Sequence, residues 1–307
     1  MIKQMKILRE ALCDRLMENI PLARYTTARV GGSASGLVAI DTITDLVQLV
    51  QLAQKTGIPY KLLGEGSNIL VSDTGFDGLI IVNHTHEIEF DLTHTTPQVR
   101  ADSGVNLVTL SRKIAEHGLS GFEWACGIPG TVGGAVYGNA GANGSDIQSN
   151  LVTADIMFPD GVTETWPCEK FQYAYRTSVL KRNSITAIVL SATLRMEKQN
   201  PSVIKNKMAE FTSKRKDSQP AGASLGSIFK NPTGDFAGRL IEVAGLKGTR
   251  IGGAEISTKH ANFILSGSKA SAMNIYHLIK YVQSEVNKKF GILLETEIEF
   301  LGKFDSE

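Results

Sequence analysis

The chain has 307 residues, more than one hydrophobic core usually supports, so two or three subdomains are expected. Apolar residues form 42% of the chain and charged residues 21%, which excludes a disordered or collagen-like protein. Because 32 Lys and Arg balance 31 Asp and Glu, there is no strong overall field to hold nucleic acid or an anionic membrane. Any anion-binding site must therefore be local.

The sequence lacks the patterns of an exported or membrane-spanning protein. Charged residues such as Lys3 and Arg9 interrupt the apolar N-terminus, unlike in a signal peptide. No run of about 18 apolar residues is present to span a bilayer as a helix. Cys13, Cys126 and Cys168 form no CxxC pair, which is typical of free thiols in a reducing compartment. We expect a cytoplasmic protein with no membrane or nucleic-acid partner.

Apolar patterns in the first third indicate alternating helices and strands. Apolar residues at helical spacing predict an amphipathic opening helix, and apolar runs bounded by turn residues predict strands. The predicted elements are a helix over residues 3–18, a strand over 36–40, a helix that Thr44 or Asp45 caps and that ends at Gly57, and strands over 60–63, 69–71 and 79–82.

The middle third is predicted to mix helices and strands around a segment rich in glycine. Residues 127–144 contain seven glycines, and each costs a helix or strand interior about 1 kcal/mol relative to alanine, so we expect neither there. The other predicted elements are a helix over 106–117 that Gly118 stops, a hairpin of strands 152–158 and 162–165, and a strand over 186–194.

The last third is predicted to begin after a helix that opens at Asn200-Pro201 and ends in the basic stretch 214–216. We expect a domain boundary near residue 210. The further predicted elements are a helix over 236–243, a helix over 270–290 closed by Gly291, and a strand over 292–301 that puts Glu295, Glu297 and Glu299 on one face.

Two glycine-containing segments are candidates for holding a ligand. In the loop Gly64-Glu65-Gly66-Ser67-Asn68, backbone N–H groups could approach a diphosphate, although a plain strand-to-strand turn uses the same residues. The segment 127–134 exposes backbone as a flat cofactor would require. A flexible loop is the alternative there, but its apolar Ile128 and Val132 do not suit one.

Three polar groups are candidates for chemistry on a charged substrate. Ser227 has a glycine before it and Lys230 and Asn231 within four residues, a pattern that a capped loop with a solvated lysine would share. Arg176, among tyrosines, could hold a carboxylate bidentately or could simply be exposed. Spacing alone does not choose among Glu295, Glu297 and Glu299.

A cluster of histidines, His84, His86 and His94, could suggest a metal ion. No carboxylate or thiol at suitable spacing completes a known type of metal site. We therefore expect no metal in this protein.

Nine short segments spread over nearly the whole chain occur in the order that one known family shows. They are residues 25–32, 64–68, 127–134, 139–141, 175–178, 226–232, 245–248, 260–263 and 294–297. In these segments the chain resembles the UDP-N-acetylenolpyruvoylglucosamine reductases of peptidoglycan synthesis, in their shorter form. Agreement by chance across all nine is not a reasonable explanation.

The resemblance implies an α+β fold with a two-part FAD-binding region of the vanillyl-alcohol-oxidase (PCMH) type, followed by an α+β substrate-binding domain. The implied ranges are 1–90 and 91–210 for the two FAD-binding subdomains and 211–307 for the substrate domain, with the strand at 292–301 reaching the active site. It further implies bound FAD, NADPH as its reductant, and a UDP-sugar whose enolpyruvyl group is reduced to UDP-N-acetylmuramate. We expect a monomer or weak homo-oligomer.

The resemblance also assigns roles to matching residues. Ser227 would donate a proton to the α carbon, with acidity drawn from Lys230 or a proton relay, while Arg176 and Glu297 would polarise the substrate carboxylate. The implied substrate-binding residues are Tyr175, Lys216, Lys230, Asn231 and Asn262. The implied cofactor-binding residues are Gly64, Glu65, Gly66, Ser67, Asn68, Gly127, Ile128, Gly130, Thr131, Gly133, Gly134 and Asn139.

Glu65 departs from the family pattern, which often has glycine there. A carboxylate beside a diphosphate is repelled, so we expect Glu65 to point outward or to bind ribose, with weaker FAD affinity as a consequence.

Two other functions compete with the reductase. They are an FAD-linked oxidase of an alcohol, and a non-catalytic nucleotide-sugar-binding protein that need not retain Ser227, Arg176 and Glu297 together.

Overall fold

The computed structural model describes residues 2–93 and 95–304. Buried apolar side chains form a core on either side of the first sheet, one core in the middle third and one in the last third. The fold is α+β. In the described residues, no helix is both long enough and apolar enough to cross a bilayer.

The first third is a four-stranded sheet with helices packed on one side. The strand order is β1-β2-β5-β3, in which β2, β5 and β3 run parallel and β1 is antiparallel. Its elements are α1 (Ile2–Leu12), β1 (Met17–Pro21), β2 (Ser33–Ile40), α2 (Ile43–Thr56), β3 (Tyr60–Leu63), β4 (Ile69–Val71) and β5 (Phe76–Asn83).

Two predictions for this region were wrong in their details. The opening helix ends at Leu12, not at residue 18, because Cys13 adopts a left-handed backbone with φ of 47° and a short 3-10 turn follows. Helix α2 is capped by Thr42, whose side chain accepts a hydrogen bond from Asp45 N at 3.1 Å, so Asp45 is a donor in the first turn.

The middle third is an antiparallel sheet of order β12-β11-β13-β7-β6, and it confirms the predicted hairpin and helix α3. Its elements are β6 (Ile88–Asp91), β7 (Gln98–Asp102), α3 (Leu107–Glu116), β8 (Leu119–Ser120), α4 (Val132–Gly138), β9 (Gly141–Ala142), β10 (Ser145–Asp146), α5 (Ile147–Asn150), β11 (Leu151–Met157), β12 (Thr163–Pro167), β13 (Ile188–Arg195), β14 (Glu197–Lys198) and α6 (Pro201–Ser218).

The glycine-rich segment contains a helix, α4, against prediction. Its first turn is capped by Thr131, and Val132, Ala135 and Val136 are buried in the central core. Burial of these apolar side chains offsets the unfavourable helix propensity of the glycines.

The last third packs two helices on a small antiparallel sheet of order β15-β16-β17. Its elements are α7 (Ala237–Val243), β15 (Arg250–Ile251), β16 (Ala254–Ile256), β17 (Ile264–Ser266), α8 (Ala272–Phe290) and β18 (Glu299–Leu301). Helix α8 buries the predicted apolar face and ends at Gly291, as expected. The predicted division at residues 210 and 211 falls inside α6 and stays a prediction.

The predicted ten-residue C-terminal strand was wrong in length. Only β18 pairs as a strand, parallel to β4 of the first sheet region, and the chain before it is irregular apart from a bridge between Phe229 and Thr296. Because β4 belongs to the first third, the end of the chain returns across the molecule to join two distant regions.

Asp73 of the first third also holds the last third. Its carboxylate accepts hydrogen bonds from the first two N–H groups of α8, Ala272 N at 2.8 Å and Met273 N at 2.9 Å. A carboxylate at a helix N-terminus satisfies unpaired N–H donors and interacts favourably with the helix dipole.

We expect Asp73→Ala to lower the free energy of unfolding by about 1 kcal/mol, because two N–H groups lose their acceptor. Chemical denaturation followed by circular dichroism measures this difference. Asp77→Ala, at an exposed position in the nearby β5, is the matched control and should change stability by less than about 0.5 kcal/mol. Equal stability of Asp73→Ala and wild type would show that Asp73 does not hold α8.

Candidate active site

The two glycine-containing loops lie against each other between the first and middle thirds. Ser67 Oγ donates to Pro129 O at 3.2 Å, and Gly130 N donates to Glu65 Oε2 at 2.8 Å. The sequence-predicted cofactor segments 64–68 and 127–134 therefore form one surface.

Glycine is needed at two positions of this surface because a side chain there would collide with neighbouring protein atoms, whether or not a ligand binds. A Cβ on Gly66, whose φ is 60°, would collide with Tyr25 O, and a Cβ on Gly64 would lie 2.7 Å from Thr131 Oγ1. The plain turn that the sequence also allowed at residues 64–68 therefore accounts for glycine at these two positions without a ligand.

A cavity of about 670 Å³ opens beside these loops, with walls from both the first and the middle thirds. Gly64, Glu65 and Thr131 line it together with the 24–27 turn. The backbone N–H groups of Glu65, Gly66 and Ser67 have no hydrogen-bond acceptor within residues 2–93 and 95–304. Successive free N–H groups in a loop that lines the cavity at Gly64 and Glu65 fit the diphosphate of FAD.

Glu65 is exposed, but its carboxylate is held within the protein instead of projecting freely into solvent. Its carboxylate bridges the loops by accepting hydrogen bonds from Gly130 N and from the Asn106 side-chain amide, which also caps α3. One backbone N–H of the second loop is therefore occupied by a side chain of the first loop. Binding of ribose by Glu65, and weaker FAD affinity, stay predictions.

A buried ion pair joins Arg176 to Glu297 across 121 positions of sequence. Arg176 Nε lies 2.9 Å from Glu297 Oε1, and the two side chains are only 22% and 20% exposed. The predicted alternatives, an exposed arginine and a solvated carboxylate, are therefore wrong for these two residues. Glu297 is the carboxylate of the C-terminal segment that meets the arginine.

Backbone carbonyls fix the orientation of the Arg176 guanidinium. Nη1 donates to Asn139 O at 3.4 Å and Nη2 to Gly141 O at 2.5 Å, and Arg176 itself adopts a left-handed backbone with φ of 56°. The buried Nε faces Glu297 Oε1 at 2.9 Å, so it is engaged with its ion-pair partner and closed to a ligand. A cation fixed in this way can stabilise an anionic ligand by its charge.

Asn139 holds this arrangement from the end of α4. Its buried side chain donates to Ala174 O and Asp146 Oδ2 and accepts from Gln148 N. The side chain is thus engaged within the protein, and its predicted contact with the cofactor stays a prediction.

The Ser227 segment is pinned to the Glu297 segment by backbone hydrogen bonds. Glu297 N donates to Ile228 O at 2.8 Å, and Lys230 N donates to Glu295 O at 2.9 Å. Ser227 thus directly precedes Ile228, the residue whose carbonyl oxygen contacts Glu297. Its hydroxyl has no partner within residues 2–93 and 95–304, so it is available to a ligand.

Asn262 fixes the same segment from the other side. Its side chain accepts from Phe229 N at 2.9 Å and donates to Phe229 O at 2.8 Å. A buried amide that satisfies both backbone groups of one residue holds that residue in place. Its predicted contact with substrate stays a prediction.

The remaining predicted substrate residues occupy three kinds of environment. Tyr175 is half exposed, with its ring 5.3 Å from Arg176 Cζ, and Lys216 is exposed in the last turn of α6. Lys230 Nζ lies 3.3 Å from Glu295 Oε2 and makes no contact with Ser227 in the described residues. Asn231 Oδ1 accepts from Ala237 N at the start of α7.

Burial raises the pKa of the Glu297 carboxyl above its ordinary value, while the positive charges of Arg176, Lys181 and Lys230 oppose this rise. Lys181 was missed by the sequence analysis. Its Nζ donates to Glu297 O at 3.1 Å. The sequence pattern that could have indicated Lys181 is its position directly after two apolar residues, Val179 and Leu180, both of which are buried.

The predicted histidine cluster gives no sign of a metal site. Among the described residues there is no group of three or more His, Cys, Asp or Glu side chains placed to bind a metal ion. His94 lies outside the described residues, so the expected absence of a metal stays a prediction.

Comparisons with known proteins agree with the geometry. Residues 218–301 match the family described as UDP-N-acetylenolpyruvoylglucosamine reductase, C-terminal domain, and residues 34–166 match an FAD binding domain family. A reductase of that name from Bacillus licheniformis is 40% identical over 99% of both chains, and one from Chloroflexus aurantiacus is 39% identical over 95% of this chain and 99% of the relative.

The crystal structure of UDP-N-acetylenolpyruvylglucosamine reductase from Thermus caldophilus superimposes with a TM-score of 0.79 at 35% identity. The match covers 92% of this chain and 98% of that one. These matches confirm the predicted fold, enzyme class and use of FAD. The chain belongs to the UDP-N-acetylenolpyruvoylglucosamine reductase family of FAD-dependent oxidoreductases.

Proposed function

We propose that this protein uses NADPH to reduce the enolpyruvyl ether of UDP-N-acetylglucosamine enolpyruvate, giving UDP-N-acetylmuramate for peptidoglycan synthesis. The observation that carries the proposal is the Arg176–Glu297 pair, in which a largely buried guanidinium is fixed in place by two backbone carbonyls and a carboxylate. A fixed positive charge suits the carboxylate of an enolpyruvyl group.

The loops at residues 64–68 and 127–134 would hold FAD, which, once reduced by NADPH, would supply a hydride to the terminal carbon of the enolpyruvyl double bond. The π electron pair then moves toward the α carbon and its carboxylate, where negative charge develops. Arg176 stabilises that charge from a position already fixed by two carbonyl oxygens, so little reorganisation is needed. Glu297 holds Arg176 from the opposite side.

Ser227 completes the addition by giving its hydroxyl proton to the α carbon. Hydride thus enters at one carbon of the double bond and a proton at the other, and the serine alkoxide that remains takes a proton from water. A serine hydroxyl is a weak acid, so the developing negative charge on the substrate must lie close to it. The free hydroxyl beside the Glu297 segment suits this role.

Two other functions fit the site less well. An alcohol oxidase needs a base to take a proton from its substrate, whereas the carboxylate of Glu297, which lies beside the Ser227 segment, is engaged in an ion pair with Arg176. A binding protein without catalysis need not keep Ser227 beside the Arg176–Glu297 pair, whereas this chain keeps all three together.

We expect anaerobic NADPH to bleach the visible flavin absorbance of the purified protein, and UDP-N-acetylglucosamine enolpyruvate to restore it. An alcohol oxidase would instead bleach with alcohol and recover with oxygen. A flavin that NADPH bleaches but the enolpyruvyl substrate leaves bleached would contradict the proposed function.

Ser227→Ala should leave flavin reduction by NADPH within about twofold of wild type and slow reoxidation by the substrate about 10²-fold to 10⁴-fold, because general acid catalysis is lost. Stopped-flow absorbance separates the two half-reactions. Ser224→Ala, three residues upstream, is the matched control and should reoxidise normally. Normal reoxidation of Ser227→Ala would remove the assignment of Ser227 as proton donor.

A further inference from the structure

Lys181 lies at the centre of the charged groups that join the middle third to the last third. Its backbone N donates to Ser178 Oγ at 3.2 Å, and Ser178, which is fully buried, donates to Tyr137 O at 2.6 Å near the end of α4. The base of the side chain is therefore fixed. From there the ammonium reaches Glu297 O at 3.1 Å.

The other cations of this region have carboxylate partners, whereas Lys181 has none. Arg176 pairs with Glu297, Lys61 with Glu299 at 3.0 Å, and Lys230 with Glu295 at 3.3 Å. Within residues 2–93 and 95–304, no carboxylate oxygen lies within 4.0 Å of Lys181 Nζ. A largely buried ammonium bonded only to a carbonyl is unfavourable for stability, which points to a role in the site.

We propose that Lys181 is a positioning residue of the active site, whose ammonium ties the Glu297 backbone to the middle third and keeps the Glu297 carboxylate ionised beside Arg176. The expected effect of Lys181 on the reaction rate rests on the proposed function. Its expected effect on the ionisation of Glu297 does not. Lys181 acts through Glu297, so it needs no direct contact with substrate.

Several neighbouring charges act on the side chains of Lys181 and Glu297. Burial lowers the pKa of the Lys181 ammonium, an effect that the carboxylates of Glu299 and Glu297 oppose and the charges of Lys230 and Arg176 reinforce. Burial raises the pKa of Glu297, so the carboxylate depends on nearby cations to remain ionised. The remaining facing groups are Lys61 and Tyr137, which both contact Glu299.

Loss of the Lys181 charge should therefore raise the pKa of Glu297 further. A protonated Glu297 no longer forms an ion pair with Arg176. If the ionised pair is the working form, activity is lost as pH falls through the Glu297 pKa, and a higher pKa moves this acidic limb toward neutral pH.

A merely structural lysine would behave differently under two substitutions. Lys181→Gln keeps a hydrogen-bond donor for Glu297 O but removes the charge, whereas Lys181→Arg keeps both. A structural role through the hydrogen bond alone predicts that the glutamine variant behaves like wild type. The proposed role predicts that only the arginine variant does.

The test follows the Glu297 carboxyl by carbon NMR in flavin-loaded protein labelled with ¹³C-glutamate, with Glu297→Gln to assign its resonance. We expect the Glu297 titration to move to higher pH in Lys181→Gln and to stay near wild type in Lys181→Arg. Lys170→Gln, which removes an exposed lysine paired with Glu164, is the charge-matched control and should not move it.

The kinetic readout is the pH profile of flavin reoxidation by the enolpyruvyl substrate. In Lys181→Gln the acidic limb should move to higher pH and the rate at neutral pH should fall about tenfold or more. An unchanged Glu297 titration in Lys181→Gln, or an equal shift in Lys181→Arg, would overturn the inference. A shifted titration in a protein whose wild type does not reoxidise would support Lys181 and reject the proposed function instead.

Discussion

The docking of the C-terminal segment between distant parts of the chain is the constraint on which the site depends. Glu299 N donates to Asn68 O, the Asn68 side chain donates to Glu297 O, and Glu297 N donates to Ile228 O. These bonds join the first cofactor loop to the Ser227 segment through one short stretch of backbone. Lys181 adds the middle third by its bond to the same carbonyl. Without this stretch, the first cofactor loop, the Ser227 segment and the middle third, which the proposed reaction needs together, would belong to separate parts of the fold.

The buried pair of Arg176 and Glu297 is better explained by function than by stability. Taking two charges out of water costs free energy that their attraction often does no more than repay. Arg176 also adopts a left-handed backbone, which a residue with a side chain rarely does, and two carbonyl oxygens hold its guanidinium. A cation fixed in advance is what a reaction with developing negative charge requires.

Elements whose cause is local were predictable from the sequence. The buried face of α8 with its closing Gly291, helix α3 stopped near Gly118 and the hairpin of β11 and β12 all follow from spacing and turn residues. Helix α4 and the short β18 were not predictable in this way, because tertiary packing decided both. Likewise, the family motif indicated Glu297, but only the fold shows that it meets Arg176 and that Lys181 lies beside it.

The most direct test of whether Arg176 and Glu297 form one shared site is a double-mutant cycle on the two residues. Its readout is the rate of flavin reoxidation by the enolpyruvyl substrate. Arg176→Gln, Glu297→Gln and the double variant are compared with wild type after each is shown to retain bound flavin. If the two residues act as one unit, the double variant should be no more than a few-fold slower than the slower single variant. Losses that multiply in the double variant would show that the two residues act independently and would contradict a shared site.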